Sequence, residues 1–360
     1  MKLSLLLAEL DDIGLLSLHE FPLHHNVHTA RCRGSADLPS NFCEDRPETP
    51  LKTNMESYKM RYPHYKRILL LCIIAIILFV CAFVLQNPQH IWVLWTEPAL
   101  WSVAKGISQS NGFVFLMFLN NAYLEMTKSW ICKAQAIIPD VLKYTVFITT
   151  SDELSLELQT WNKDAQTFVQ KYSVTKPVSY GTYEYFRLTE ERLRVQNNLI
   201  QQGVNVFVIE SDAVWNSKEI IDVIHSRLQS NIIVTADDGN GQISAGFIGI
   251  RSTNDTRSFF QKSLDSYSAT LANYKGRSGH IGHVKEQKTI TQTLNALHIT
   301  IHRLTHCESA NGQWYGRKPD PKCPLPMVIQ NNWIVGNANK IKRSKKWGHW
   351  YLNDEGLCRS

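Results

Sequence analysis

From Phe113 onward, short apolar runs alternate with longer stretches in which apolar positions recur every three or four residues. The runs FVFLMFL (113–119), YTVFIT (144–149), VNVFVIE (204–210), NIIVTAD (231–237) and ISAGFIGIR (243–251) have strand length and β-branched or aromatic content. The amphipathic stretches predict helices over 122–138, 154–172, 183–202, 218–229 and 256–274, with Gly203 ending the third and Ser217 capping the fourth. Alternation of this kind predicts an α/β domain around a mostly parallel central sheet. No internal repeat interrupts it.

Ahead of that domain the pattern changes. Residues 68–85 (ILLLCIIAIILFVCAFVL) carry no Asp, Glu, Lys or Arg. At 1.5 Å per residue such a helix reaches about 27 Å, enough to cross a bilayer. Lys59, Arg61, Lys66 and Arg67 precede it, and no Lys or Arg follows until Lys105. The positive-inside bias therefore predicts a cytosolic N-terminus and a lumenal C-terminal bulk. The span is internal and lacks a small-residue cleavage site, so it reads as a retained signal-anchor. The expected division is a cytosolic tail (1–67), a membrane helix (68–85), a short stem (86–112) and a lumenal domain (113–360). Residues 1–54 are expected to be either a disordered tail or an extension ahead of the true start, since Met55 or Met60 would leave an ordinary short basic tail.

The chain has 360 residues, 44% of them hydrophobic, which suffices for a sizeable core. Its net charge of +6 gathers near the apolar span and the C-terminus, not over one broad face, and argues against nucleic acid as a partner. Of eight cysteines, Cys132, Cys307, Cys323 and Cys358 fall in the lumenal part. Four cysteines allow three pairings, and Cys307 with Cys323 is favoured because it closes a loop rich in Gly and Pro. The sequon Asn254-Asp255-Thr256 fits a lumenal surface.

Candidate chemistry centres on VNVFVIESDAVW (204–215), where a buried strand ends in Glu210 and Asp212 around Ser211. In an extended segment these two carboxylates share a side and suit one hard divalent cation, Mn²⁺ or Mg²⁺, bridging the phosphates of a nucleotide-sugar. The competing reading is a turn or helix cap, a common use of acidic residues at strand ends. Asn120 and Asn121 follow the first strand, where ligands of α/β proteins bind or where a simple turn forms. Asp237 and Asp238 end another strand, as a donor or acceptor contact or as an Asp-Asp-Gly turn. Arg192 precedes the acidic strand, either reaching a diphosphate or carrying surface charge.

Several ordered blocks then point to a family: FLNNAYLEMTKSW (118–130), the Glu210/Asp212 strand with Trp215, AGFIGIRST (245–253), KEQKTITQTLN (285–295), NGQWYG (311–316) and IQNNWIVGNANKIKR (329–343). Together they resemble the nucleotide-diphospho-sugar transferases that include plant cell-wall xylosyl-, galactosyl- and arabinosyltransferases. The resemblance implies a GT-A type nucleotide-sugar-binding fold, a type II Golgi membrane protein, a UDP-sugar donor, a glycan or glycoprotein acceptor, and transfer with retention. It implies metal ligation by Glu210, Asp212 and Gln330. Donor contacts are implied for Asn120, Asn121, Arg192, Ser211, Gly246, Asn332, Gly336 and Lys340, with Lys342 and Arg343 as further basic residues of a closing segment. Glu286 and Gln287, with Asp238, are implied at the reacting sugar. No residue declares itself a nucleophile, so front-face attack is expected. Trp333, Trp347, Trp350 and Tyr351 are candidates for stacking on an acceptor sugar, or for packing.

Two positions depart from the family pattern: Glu210 stands where Asp is common, and Gln330 where many relatives have His. These departures keep open a second expectation, a nucleotide-sugar- or glycan-binding relative without turnover. A receptor or adhesion domain would show β-rich alternation and fits least.

Overall fold

The computed structural model describes residues 71–75, 88–170, 178, 180–237, 241–282, 284–317 and 320–359. The expected tail, and the expected membrane span except for residues 71–75, lie outside them. Among the described residues no helix is long and apolar enough to cross a membrane. The chain divides into two units, Met1–Leu71 and Cys72–Ser360, and all elements below belong to the second.

The stretch expected as a stem is helical, α1 (Pro88–Asn111), and its Leu100 and Ala104 are buried in the core of the domain. There follow β1 (Val114–Leu119), α2 (Leu124–Ile137), β2 (Thr145–Thr149), α3 (Asp152–Trp161), β3 (Gln166–Val169), α4 (Tyr183–Gln201), β4 (Val206–Ile209) and β5 (Ala213–Trp215). Next come α5 (Glu219–Ser230), β6 (Ile233–Asp237), β7 (Ile243–Ile250), α6 (Asn254–Ala272), α7 (Glu286–Ala296), β8 (His302–Arg303), β9 (Ser309–Ala310), β10 (Val328–Gln330) and α8 (Asn337–Lys346). The predicted helix over 154–172 is corrected. It ends at Trp161, where Asn162 leaves helical conformation and its side chain accepts from Asp164 N–H, and residues 166–169 form the edge strand β3.

The main sheet has the order β3-β2-β1-β4-β7-β6-β8. Pairings among β3, β2, β1 and β4 are parallel, β7 is antiparallel to both β4 and β6, and β6 is parallel to β8. The expected mostly parallel sheet is therefore present, mixed through the reversal of β7. Successive residues of a strand face opposite sides. Val114 and Leu116 join Val206 and Val208 on the side covered by α1, α4, α6 and α7, whereas Phe115 and Met117 join Phe207 and Ile209 on the side covered by α2, α3 and α5. Burial on both faces explains why these strands read as unbroken apolar runs.

A smaller sheet, β5-β10-β9, begins immediately after the acidic pair. It links the middle of the chain to the C-terminal segment by pairing β10 with β5 and β9. A disulfide between Cys132 and Cys358 fastens the C-terminal tail to α2. The favoured Cys307–Cys323 bond is corrected: both residues are free thiols that hydrogen-bond to one another, and burial first, then that contact, pushes the Cys323 thiol up to about 12.

Candidate active site

The acidic pair sits between the two sheets, and its local geometry differs from the expected extended strand. β4 ends at Ile209, and Ala213 N–H donates to the Glu210 carbonyl at 3.1 Å, making residues 210–213 a turn. The carboxylates consequently meet different partners. Asp212 is buried, and its Oδ2 accepts from Lys340 Nζ at 2.5 Å. Its Oδ1 is also buried and has no hydrogen-bond partner among the described residues. Glu210 is more open and lies 3.4 Å from Arg192. A Cβ at Gly246 on β7 would run into the Glu210 carboxylate, so only glycine gives that side chain room.

Arg192 is a buried site residue, not a surface charge. Its guanidinium pairs with Glu286, the first residue of α7, while also reaching Glu210. Burial alone would lower the Arg192 pKa, but the Glu286 and Glu210 carboxylates outweigh it and the guanidinium is held above its usual value. Burial raises the Glu286 carboxyl against the opposing pull of Arg192, and Glu286 Oε1 is buried without a hydrogen-bond partner among the described residues. Gln287 follows on the first turn of α7, half-buried. Burial would lower Lys340 too, and Asp212 and then Glu210 reverse that effect, so its ammonium stays charged.

Two tyrosines absent from the sequence expectations belong to the same cluster. Tyr123, just before α2, feels the charges of Lys340, Glu210, Asp212 and Arg192. Tyr185, on the first turn of α4, feels Tyr123, Arg192, Glu210 and Glu286. Burial raises both phenols, with neighbouring carboxylates adding to the shift. Tyr185 precedes Arg192 by two helical turns on the same face, which is the one signal available in advance.

Gln330 is corrected as a metal ligand. Its side chain is buried, with Oε1 accepting from Ser244 Oγ at 2.7 Å and Nε2 donating to Ser309 Oγ at 3.3 Å, so the amide fastens β10 to β7 and β9. Among the described residues no three His, Cys, Asp or Glu gather as a metal-binding group. Asp212 with its unpartnered Oδ1, and Glu210 with its long contact, nevertheless suit a divalent ion that takes its remaining ligands from phosphate and water.

The C-terminal segment is built around the Asn331-Asn332 pair. Asn331 Nδ2 donates to the Lys340 carbonyl and to Ser344 Oγ, and its Oδ1 accepts from Arg343 Nε. Asn332 Oδ1 accepts from Gly312 N–H. Arg343 also lies 4.5 Å from the Tyr315 ring and braces the loop within reach of the Asp212 charge, while Lys342 is exposed. Gly336, with φ of +88°, makes the left-handed entry into α8 that brings Lys340 back over Asp212. Asn337 Nδ2 ties the helix start to the Ala122 carbonyl.

The remaining expectations divide. Asn120 Oδ1 accepts from Ala122 N–H, capping a short turn, and Asn121 is exposed beside it. Ser211 is buried between the acids. Asp238 lies outside the described residues. Trp350 is buried against Met126 and Leu352, Tyr351 N–H donates to Ser129 Oγ with Lys133 Nζ over the Tyr351 ring, and both side chains line the same small cavity as Asp212. Trp347 packs on Trp314 and Tyr315, and Trp333, with φ of +58°, is 47% exposed.

Residues 144–343 match the profile of a family described as nucleotide-diphospho-sugar transferase. The chain belongs to that family. This transferase is similar to a UDP-galactose:fucoside alpha-3-galactosyltransferase of Dictyostelium discoideum, 25% identical over 195 residues that cover 50% of this chain and 30% of that protein. It is also similar to UDP-D-xylose:L-fucose alpha-1,3-D-xylosyltransferase 1 of Arabidopsis thaliana, 19% identical over 285 residues, 73% of this chain and 77% of that one. Among solved structures, the transferase resembles the glycosyltransferase GlyE of Streptococcus pneumoniae TIGR4 with a TM-score of 0.42 and 11% identity, covering 67% of this chain and 65% of GlyE.

Proposed function

We propose that this chain is a GT-A type retaining glycosyltransferase that moves a sugar from a UDP-sugar to a fucose-bearing glycan or glycoprotein, with Mn²⁺ or Mg²⁺ at Asp212 and Glu210. The observation that carries the reading is Asp212, a buried carboxylate with one oxygen on Lys340 and the other unpartnered, beside Glu210 in a member of this family. Two sequence relatives bear names that combine a UDP-sugar with a fucoside or L-fucose, which supports the choice of donor and acceptor.

A divalent cation there would neutralise charge on the departing diphosphate. Asp212 and Glu210 would hold it, and Lys340, paired with Asp212, supplies a second positive charge. Arg192 contacts Glu210 and pairs with Glu286, which sits at the start of α7 as a sugar-orienting group. Front-face attack is the reading favoured by the basic partner that each of Asp212, Glu210 and Glu286 carries. In the cell the chain works in the Golgi lumen as a type II protein held by one helix over 68–85, a reading supported by the uncharged span and its basic N-terminal flank.

The test is UDP release by the purified chain from a panel of UDP-sugars with MnCl₂, with and without methyl α-L-fucoside. Release that depends on metal, rises with the fucoside and vanishes in Asp212→Asn is expected. Binding of UDP with metal but no release under any condition would instead favour a nucleotide-sugar-binding relative without turnover, the reading to which the engaged Gln330 amide lends weight.

A further inference from the structure

We infer that Tyr180, Tyr185 and His280 form a subsite that takes the apolar face of a neutral pyranose, the acceptor sugar of the reaction proposed above, on which this inference rests. Three observations carry it. The first is an aromatic series running from solvent into the acidic cluster. Tyr180 is 49% exposed and packs edge-on against Tyr185, with ring centroids 5.1 Å apart, and Tyr185 in turn shares the electrostatic environment of Arg192, Glu210 and Glu286.

The second is that the exposed His280 ring is held by backbone. A Cβ at Gly181 or at Gly282 would strike the imidazole, and Gly181 has a φ of +87°. Ile281 N–H donates to the Gly181 carbonyl at 2.7 Å, joining the two segments, and the Tyr180 and His280 rings lie 6.3 Å apart. Such a cradle fixes an exposed ring that solvent alone would leave free to rotate.

The third is placement. The segment bearing Tyr180 leads through the capping Thr182 into α4, which carries Arg192, and the segment bearing His280 leads into α7, which opens with Glu286. The aromatic wall is thus continuous with the reacting centre, on elements other than Lys340 and α8. Aromatic edges and faces match the C–H surface of a sugar ring, and the phenol and imidazole supply polar contacts at its rim. Two carboxylates, Glu210 and Glu286, share the surroundings of Tyr185 with the single cation Arg192, which favours a neutral sugar over an acidic one.

The test separates binding from turnover. Methyl α-L-fucoside is added to the full chain saturated with UDP and MnCl₂, and saturation-transfer NMR is recorded. Transfer to the fucoside ring protons is expected in the unaltered chain and at least halved in Tyr180→Ala and in His280→Ala. In transfer assays the same variants are expected to raise KM for the fucoside about tenfold, with kcat little altered. Absence of saturation transfer in the unaltered chain, or equal transfer and equal KM in both variants, overturns the subsite. A fall in UDP affinity matching the loss of fucoside binding overturns it as well, because the wall would then serve the nucleotide. A chain that binds the fucoside in this way but shows no turnover contradicts the proposed reaction and leaves the subsite standing.

Discussion

Arg192–Glu286 and Lys340–Asp212 each join a basic side chain to a carboxylate that solvent scarcely reaches, with 6% exposure for the Glu286 side chain and 2% for that of Asp212. Their settings differ. Arg192 has a second carboxylate in Glu210, and its two helices are fixed in the core by Leu193, Leu199, Ile290 and Leu294. Lys340 sits on α8, whose sole buried residue is Ser344 and which is held by Asn331, bonded to its Ser344 and Arg343, and by Ile341 packed against Met126, Trp350 and Leu352. Comparable burial therefore accompanies unequal packing. The first pair is a fixture between two core helices that positions Glu210, while the second lies on a helix with far fewer buried apolar residues.

Breaking the fixture has the largest expected effect. Arg192→Ala leaves Glu286 buried and unpaired, which is expected to destabilise the chain by about 3–5 kcal/mol in urea unfolding, with no recovery on adding MnCl₂. Loss of the Cys132–Cys358 disulfide, through Cys132→Ser with Cys358→Ser, should lower stability by about 2–4 kcal/mol and release the tail from α2, read by calorimetric melting.

Lys340→Met sharpens the contrast. Asp212 lines a cavity of about 20 Å³, room for roughly one water, so the carboxylate can hydrate when the ammonium is gone. The expected stability loss is about 1–2 kcal/mol, smaller than for Arg192→Ala, and MnCl₂ should restore it, whereas UDP affinity falls about tenfold or more by titration calorimetry.

The smallest effect concerns His349, which burial and then Lys133 hold down at about 4. Because the folded value lies below the unfolded one, the unfolded chain binds more protons between pH 6.5 and 4. Stability is full above about pH 6.5 and declines as pH falls toward 4, by roughly 1 kcal/mol once solvent screening is allowed for. His349→Gln should flatten that slope in urea midpoints taken at pH 7 and pH 5.

The same contrast between local and distant determinants separates what the sequence disclosed from what it hid. β1, β2, β4 and β7 were legible because both faces are buried, which leaves an unbroken apolar run at each. β3 was not, since its four residues are all half-exposed and carry no clear alternation, and the two- and three-residue strands β8, β9 and β10 are too short to show any period.

Asp212 and Lys340 each stand in a local motif legible in the sequence. The partnership of Arg192 with Glu286 spans 94 residues and leaves no local mark, so the sequence alone leaves Arg192 between a diphosphate contact and a surface charge. Gln330 misled for a related reason: its duty is set by Ser244 and Ser309, residues distant in sequence that meet it only once the two sheets are assembled. Tyr123 and Tyr185 carry no signal of their own in the sequence because a tyrosine at a helix start looks the same whether it faces a core or a cleft.

The direct test of the central claim is calorimetric titration of UDP into the chain with and without MnCl₂, repeated for Asp212→Asn. Manganese is expected to tighten UDP binding about tenfold or more in the unaltered chain and to have no effect in the variant. Equal UDP affinity with and without manganese, or a manganese effect that survives Asp212→Asn, would contradict the assignment of this carboxylate as the anchor of the donor diphosphate.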